Sequence, residues 1–347
     1  MTKYITVCYR PLTTVSPAFY GSGVALVGYS YPFSRPIPTI YTVAGAALNL
    51  LSNVTGYSYD ALESLVLNDK LKIYGVYIKA LMGNKELSLV PVFAFYYRGR
   101  LQPIQLLTPS STEVYMPLTK PVKKPVNAKL VLALAKLTAE GADISSLYHL
   151  EVDTVYRVGI LIDEKTRTVQ RQGALYSYTA IANYTICGDG GCTNKISFCV
   201  DLEIEHGDLE TKIMDVADKT NVVAQDLGGE QSVSKPELRL CREAPRLVVL
   251  SKKGSGLQLA VSHIALDERG GEGIDIEYTT LRGEKVEAYI GRIELLTGWL
   301  IRDNTPKPPQ LTLAPGTLYW SSKTGVAPPT PKGWWQKLLA TAIPLKE

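Results

Sequence analysis

Apolar positions recur along this chain with the periods of strands and helices. Lys3–Tyr9 alternates apolar and polar residues, which predicts a strand. Thr39–Ser52 has the apolar spacing of a packed helix, with a threonine available near its start. Ile196–Ile204 again predicts a strand, and Leu209–Ala217 predicts a helix. A strand, a loop and then a helix form the opening of a βαββαβ unit, so the pattern indicates an α+β fold.

Other apolar runs in the second half are shorter. Val155–Tyr178 holds two β-prone segments around a polar turn, which predicts a β-hairpin or a bulged strand pair. Arg246–Leu250 and Leu257–Val261 predict strands, and Leu338–Ile343 predicts a short terminal helix.

The polar residues around the predicted hairpin turn are mostly basic. Four cations, Arg157, Lys165, Arg167 and Arg171, stand against Asp163 and Glu164. The apolar base of such a hairpin could pack in a core while the basic residues at its tip bind phosphate. The alternative is a solvated tip, because exposed charges are common at turns.

Length and charge bound the organisation of the chain. With 347 residues, two domains are expected, and a Pro- and Lys-rich connector at 108–127 ends the first. We therefore predict domains at 1–127 and 128–347. The net charge of +4 permits a local basic surface without requiring one.

No signal-peptide pattern opens the chain and no apolar run reaches the length of a membrane span, so we expect a cytoplasmic protein without membrane contact.

The chain has five cysteines with uneven spacing, which do not fit the disulfide framework of a secreted protein. Cys187 and Cys192 flank Gly-Asp-Gly-Gly, which predicts a tight turn that brings the two thiols close together. Three states stay open for this pair: reduced thiols, a disulfide, or part of a zinc site.

Motifs of enzyme chemistry are missing from the sequence. It contains no H-E-x-x-H, no P-loop and no G-x-S-x-G. His149, His206 and His263 are scattered, and no carboxylate cluster suits a two-metal nuclease. We therefore expect no catalytic residue, no metal and no cofactor. Gly228 and Gly229 allow a turn with positive φ, which could serve as an anion-binding nest or simply as a tight turn.

Four motifs, taken in chain order, resemble one family. They are Pro38-Thr39 with Thr42–Ala46, then Arg157–Ile160 with Gly173–Tyr176, then Leu227–Glu230, and finally Gly298-Trp299 through Ala314–Trp320. In this order the chain resembles the RAMP-superfamily, guide-RNA handle-binding subunits of type III-B (Cmr) CRISPR effector complexes. Two departures stand out. Gln231-Ser232-Val233 follows the Gly-Gly turn where the family has a basic residue, and Asn49 replaces an arginine.

The resemblance implies a fold and a role. The fold would be two ferredoxin-like (RRM-like) βαββαβ domains with inserted β-hairpins and long loops. The role would be non-catalytic: binding the 5′ handle of the crRNA and bridging the large palm-domain (cyclase-like) subunit to the RAMP backbone subunits, in antiviral defence. Arginine and lysine would hold phosphates, and glycines would let RNA approach the main chain. The implied RNA-binding residues are Arg35, Arg157, Lys165, Arg167, Arg171, Gly228, Gly229, Lys235 and Gly316.

Three alternatives to this role remain. They are the handle-binding subunit of a type III-A complex, a bridge that touches protein only, and a metal-independent endoribonuclease acting on repeat RNA. The tyrosine content and a disulfide, if one forms, would indicate an archaeal thermophile as the host.

Overall fold

The computed structural model describes sixteen stretches of the chain. They are residues 3–13, 17–18, 35–92, 95–97, 100–102, 113–117, 149–160, 166, 175–188, 191–217, 224–228, 232–252, 256–269, 277–300, 305–323 and 330–344. None of the helices in these stretches is both long enough and apolar enough to cross a membrane.

The described part is rich in strands, with a smaller share of helix. The helices are α1 (Ile40–Thr55), α2 (Tyr59–Leu67), α3 (Gly207–Ala217), α4 (Arg246–Ser251) and α5 (Trp334–Lys337). The strands before residue 228 are β1 (Lys3–Pro11), β2 (Leu71–Met82), β3 (Lys85–Val92), β4 (Phe95–Tyr97), β5 (Arg100–Gln102), β6 (Glu113–Pro117), β7 (His149–Ile160), β8 (Leu175–Gly188), β9 (Gly191–Thr193), β10 (Ile196–Ile204) and β11 (Gln225–Asp226). The later strands are β12 (Val233–Cys241), β13 (Gly256–Ala260), β14 (Ile264–Arg269), β15 (Glu277–Thr280), β16 (Glu284–Ile290), β17 (Ile293–Leu296), β18 (Trp299–Leu300), β19 (Thr305–Pro306), β20 (Gln310–Leu313), β21 (Leu318–Lys323) and β22 (Ala342–Pro344).

The first sheet has the strand order β11-β12-β1-β10-β2-β3-β6. Its neighbours pair antiparallel, except that β3 and β6 are parallel. Alternation gives this sheet two different faces. On one face Ile5 and Val7 of β1 join Val200 and Leu202 of β10 in the apolar core. The opposite face, here called the polar face, carries the residues between them, including Thr6 and Asp201.

Helix α1 covers the apolar face, as its sequence pattern predicts. The hydroxyl of Thr39 accepts the N–H of Thr42 and so caps the first turn. The helix ends at Gly56, whose φ of 71° is the left-handed conformation of a C-terminal cap. Val43, Leu48 and the other buried side chains of α1 pack in the same core as the sheet. The predictions of β1, α1, β10 and α3 are confirmed.

Strands from both halves of the sequence form the first sheet. β1 lies between β10 and β12, so residues 3–11 pair on both edges with residues beyond 195. The predicted boundary between residues 127 and 128 therefore does not separate the strands of this sheet. Hydrophobic periodicity marks where a strand lies but not which strand will pair with it, and this is why the sequence pattern gave no sign of the pairing.

The second sheet has the order β17-β20-β14-β15-β16-β21-β13-β22, and its neighbours pair antiparallel. It has a core of its own around Ile264, Leu313 and Tyr319. Its described residues between β13 and β21 contain strands and turns but no helix.

A separate ribbon contains the predicted hairpin. β7 and β8 pair antiparallel, with an irregularity at Asp153/Thr154, and β9 adds to the other edge of β8. Tyr184 of β8 packs edge to face on Phe198 of β10, with ring centroids 5.4 Å apart, and so anchors the ribbon to the first sheet. The strand pair is confirmed. The tip, residues 161–174, lies outside the described residues apart from Thr166.

Two predicted elements have the wrong type. Arg246–Leu250 forms helix α4 rather than a strand. Its run of apolar residues is too short to show a period, and Pro245 with φ near −54° favours a helix start. Leu338–Ile343 is not a helix, because α5 ends at Lys337 and the segment passes through a turn into β22. Pairing of β22 with β13 decides the conformation there.

Candidate nucleic-acid interface

One corner of the first sheet gathers two exposed cations and a glycine turn. In the register between β1 and β12, Arg10 lies directly opposite Lys235. Both side chains are exposed. Directly opposed residues project from the same face of a sheet, so the two charges stand side by side on the polar face. We call Arg10 and Lys235, together with Gly228 in the turn before β12, the basic corner.

The two cations of the basic corner have no acidic partner among the described residues. Arg239, two pairs further along the same strands, differs: it contacts Glu237 at 2.7 Å and Glu86 at 3.2 Å. Like charges directly opposite each other destabilise a strand pair. A bound anion would remove that cost at Arg10 and Lys235.

Gly228 lies in the turn that joins β11 to β12. Its φ of 94° is in the region that favours glycine, and it is exposed. The N–H of Leu227 donates to the carbonyl of Ser232 at 2.8 Å and closes the turn. The N–H of Leu12 donates to the carbonyl of Val233 at 2.9 Å, which holds the turn against the end of β1. Gly229, predicted to share the site, lies outside the described residues.

Helix α1 supports the other side of this turn. The side-chain amide of Gln225 on β11 donates to the carbonyl of Ala46 at 2.9 Å. This bond joins the Thr42–Ala46 motif to β11, which ends directly before Leu227 and Gly228 of a second motif.

Arg157 lies on a different element, the ribbon. It is exposed on β7 opposite Tyr178, and its neighbours Tyr156 and Val158 are 63% and 58% exposed. Exposed residues on both sides of the strand show that this stretch of the ribbon stands away from the core. Lys165, Arg167 and Arg171 lie outside the described residues, so the predicted cationic tip stays a prediction.

Arg35 belongs to an internal ion network. Its Nη1 lies 2.9 Å from Oε1 of Glu294, and Nε2 of His263 lies 2.6 Å from the same oxygen. Burial raises the pKa of Glu294, but the hydrogen bond from His263 and the charge of Arg35 outweigh this effect and hold that pKa at about 2. Burial also lowers the pKa of His263, despite the carboxylate beside it. Arg35 therefore forms an ion pair with Glu294 within the protein, and its RNA contact stays a prediction.

Gly316 forms a tight turn between β20 and β21. Its φ is 88°, and its N–H donates to the carbonyl of Ala260 at 2.7 Å. The residue is buried. The main-chain N–H of Gly316 is therefore engaged inside the protein, whereas Gly228 lies at the surface.

The structure joins four of the five cysteines in two disulfides. Cys187 and Cys192 are bonded across the β8–β9 pair, one of the three states that the sequence left open. Cys8 and Cys199 are bonded across β1 and β10, at a sequence separation of 191. Nothing in the spacing of the cysteines indicates the second bond, because only the sheet register brings its two residues together. Among the described residues, no three His, Cys, Asp or Glu side chains are grouped to hold a metal ion.

Arg10 is the site residue that the sequence patterns did not reveal. It ends the alternating run of β1 just before Pro11, and an arginine at a strand end is commonplace without knowledge of its partner. The pairing of β1 with β12 places Arg10 opposite Lys235.

The comparisons with known proteins give structural similarities only. No family model and no curated protein matches the chain. A chain of a type III-B Cmr-β complex bound to cognate target RNA and AMPPnP is 17% identical, with a TM-score of 0.47, over 91% of this chain and 86% of that one. A second structure of Cmr-β bound to cognate target RNA matches at 18% identity and a TM-score of 0.45, over 91% and 86% of the two chains. A chain of the Csm3–Csm4 subcomplex of a type III-A CRISPR–Cas interference complex matches at 11% identity and a TM-score of 0.36, over 92% and 93%.

Proposed function

We propose that this chain is a non-catalytic, RNA-binding subunit of a type III-B CRISPR effector complex, and that it binds the 5′ handle of the crRNA. The observation that carries the proposal is the basic corner. Two exposed cations, Arg10 and Lys235, stand opposite each other without an acidic partner among the described residues, and Lys235 lies on the strand that follows a glycine turn.

Phosphate fits this corner on physical grounds. A guanidinium can hold two phosphate oxygens at once, and a lysine ammonium adds a point charge. Gly228 has no side chain to block the approach of a nucleotide to the turn. A phosphate between Arg10 and Lys235 would also cancel the repulsion between them. Lys235 thereby provides the basic residue that the family has closer to its Gly-Gly turn.

The strand order of the first sheet supports the implied fold. Four of its strands occur in the chain order β1, β2, β10 and β12, with helices between β1 and β2 and between β10 and β12. In the sheet they lie in the order β12-β1-β10-β2. We propose that these four strands with α1 and α3 form one ferredoxin-like βαββαβ unit. Residues 83–195 would then be an insertion between its second and third strands. A second ferredoxin-like unit, around the second sheet, remains an expectation of the resemblance.

The proposed partners are the large palm-domain subunit and the RAMP backbone subunits. The ribbon of β7 and β8 is the part we assign to such contacts, because Tyr156 and Val158 are exposed apolar surface on a projecting strand. The alternative is that the chain occupies the corresponding position in a type III-A complex and uses the same site there.

The surroundings of two histidines support a non-catalytic role. His263 is 2% exposed and bound to Glu294. His206 accepts the N–H of Leu209 through Nδ1 at 3.3 Å and so caps α3. Both side chains have structural roles that compete with general acid–base chemistry on RNA.

The experiment begins with the RNA itself. The complex is purified from native cells, the RNA that accompanies it is sequenced, and its proteins are identified by mass spectrometry. Short RNAs with one constant 5′ end, together with a large palm-domain subunit, are the expected result. Partners without RNA would favour the protein-only bridge, and metal-free cleavage of repeat RNA by the purified chain would favour the nuclease.

Site variants then test the corner. We expect the double variant Arg10→Ala/Lys235→Ala to bind the constant 5′ segment at least about tenfold more weakly, since each charge-assisted hydrogen bond contributes about 1.5 to 3 kcal/mol. The slope of log affinity against log salt should become shallower by about 2. Lys332→Ala removes an exposed lysine far along the chain and serves as the control. Unchanged affinity and slope in the double variant would contradict the assignment.

A further inference from the structure

A cavity of about 220 Å³ lies on the polar face of the first sheet. Asp201, Thr6 and Tyr77 form its floor. Leu247 and Leu250 of α4, with Ile343 of β22, form an apolar wall over that floor. The cavity reaches the surface beside Glu243, which is exposed. It therefore combines an apolar wall with a polar floor, as small-molecule sites do.

Asp201 is the most deeply buried charged group of this cavity, with 2% of its surface exposed. Its Oδ1 accepts two hydrogen bonds, from Thr6 at 2.6 Å and from Tyr77 at 3.0 Å. Its Oδ2 has no hydrogen-bond partner among the described residues. Oδ2 is not among the fully buried atoms that have no partner, so it is accessible from the cavity and can accept a hydrogen bond from a bound group.

The charges around the rim do not provide that partner. Lys79 lies 2.9 Å from Glu86, and Arg239 bridges Glu86 and Glu237. These two cations and two carboxylates balance one another. Asp201 and Glu243 are left as the excess charge of the cavity, so it is negative.

We propose that this cavity is a binding site for a small organic cation, an ammonium or amidinium group on a short apolar body. The cationic nitrogen would donate to Oδ2 of Asp201, and the apolar body would lie against Leu247, Leu250 and Ile343. At about 220 Å³ the cavity is smaller than the usual range of roughly 300 to 1,000 Å³ for drug-sized ligands, so the body must be short. The acidic groups are too few and the wall too apolar for a bare divalent ion, which prefers six or more oxygen ligands.

The protonation of Asp201 makes the site sensitive to pH. Burial raises its pKa to about 6, against the lowering effect of the hydrogen bonds from Thr6 and Tyr77 and of the charge of Lys79. Cys241 and Glu243 are the other titratable groups that line the cavity. A bound cation would favour the ionised carboxylate, so binding should weaken as the pH falls below about 6. This site does not depend on the RNA-binding role proposed above.

The first test is direct binding to the full-length purified chain at pH 7.5, by calorimetry. The probes are n-butylamine and benzamidine, and 1-butanol and benzamide are their uncharged counterparts. We expect at least one cation to bind about tenfold or more tightly than its uncharged counterpart, the minimum for a hydrogen bond to a charged group. The two cations distinguish an ammonium site from an amidinium site. Equal binding of charged and uncharged probes, or no binding of either cation, would overturn the proposal.

The variant Asp201→Asn isolates the charge. Its side-chain carbonyl can still accept from Thr6 and Tyr77, so the fold should survive, while the ionised oxygen is lost. Cation affinity should fall at least about tenfold. Asp226→Asn changes an exposed residue of β11, serves as the control and should bind as the parent does. Retention of full affinity by Asp201→Asn would count decisively against the site.

A second measurement needs no variant. With both disulfides formed, Cys241 is the one remaining thiol of the five cysteines, and it lines the cavity. A bound cation should slow its alkylation by a maleimide, and the uncharged counterpart should not. If the cation leaves the alkylation rate unchanged at a concentration that saturates the calorimetric signal, the cation binds elsewhere and the proposal fails.

Discussion

Two carboxylates on β10 show how local partners decide the state of a buried charge. Asp201 and Glu203 lie two positions apart on the polar face and are both 2% exposed. Glu203 accepts from Tyr74 at 2.7 Å and lies against Lys252 and Lys72, and although burial raises its pKa, these contacts bring the pKa below its ordinary value. Asp201 has hydroxyl donors but no cation in contact, and its pKa is raised. Burial is the largest effect on Asp201, whereas the contacts of Glu203 with Lys252, Tyr74 and Lys72 together outweigh its burial.

Asp201 should therefore lower stability at neutral pH when its cavity is empty. Its pKa is about 6 in the folded chain and near 4 when unfolded, so the folded state holds the proton more tightly. The stabilisation from this group is complete below about pH 4 and is lost as the pH rises through 6. We expect Asp201→Asn to raise the free energy of unfolding at pH 7.5 by about 1 to 3 kcal/mol.

Urea unfolding of parent and variant at pH 7.5 and pH 4 measures this effect. The advantage of Asp201→Asn should shrink toward zero at pH 4, where the parent carboxyl is protonated as well. Asp226→Asn should change little at either pH, since Asp226 is exposed. A variant less stable than the parent at pH 7.5 would show that the hydrogen bonds of the ionised carboxylate outweigh its burial.

At the scale of single residues, the sequence indicates which residues belong to a site better than it indicates which residues lie beside them in space. The family resemblance implies Gly228 through a motif and Lys235 as a substitute for the basic residue missing after that motif, and the structure places the two residues in and directly after the turn before β12. Arg10 was not found, and neither was the bond between Cys8 and Cys199. Both depend on the register of β1 against strands about 190 or more positions away, which no local pattern contains.

At the scale of elements, long periodic segments are predictable and short apolar runs are not. The 16 residues of α1 show a full helical period and a capping threonine. The six residues of α4 offer less than two turns, so their apolar run fits a strand equally well. Packing of α4 beside β22 at the cavity decides the outcome, and this contact belongs to tertiary structure.

The turn between β16 and β17 depends on a glycine. Gly291 has a φ of 147°, and a Cβ there would lie 2.4 Å from Oγ1 and 2.8 Å from Cα of Thr317. Backbone strain and the clash add, so we expect Gly291→Ala to lower the free energy of unfolding by about 3 kcal/mol or more. Chemical denaturation measures the loss.

Gly207→Ala is the matched control for this turn. Gly207 has ordinary backbone angles, and a Cβ at this position would have no atom within 4 Å, so alanine should be neutral or slightly stabilising at this start of α3. If the two alanine variants were equally stable, the close approach of residue 291 to Thr317 would not be a constraint on the second sheet.

At the scale of the whole molecule, the N-terminal strand pairs on both edges with strands from the second half of the chain. β1 pairs with β10 and β12, so the first sheet closes only when residues 3–11 meet residues 196–204 and 233–241. Forming such distant pairs costs chain entropy. The bond between Cys8 and Cys199 lies near one end of the β1–β10 pairing and reduces that cost.

The two disulfides should therefore differ in their contribution to stability. A cross-link over 191 positions removes about 5 kcal/mol of unfolded-state entropy, whereas one over 5 positions removes about 2 kcal/mol. We expect Cys8→Ala/Cys199→Ala to lose about 3 kcal/mol more than Cys187→Ala/Cys192→Ala, with guanidinium unfolding under oxidising conditions as the measurement. The short bond is the internal control, because it tests the same chemistry in the ribbon. Equal losses would mean that the unfolded chain already keeps β1 near β10, and that the register of the first sheet does not rest on the long cross-link.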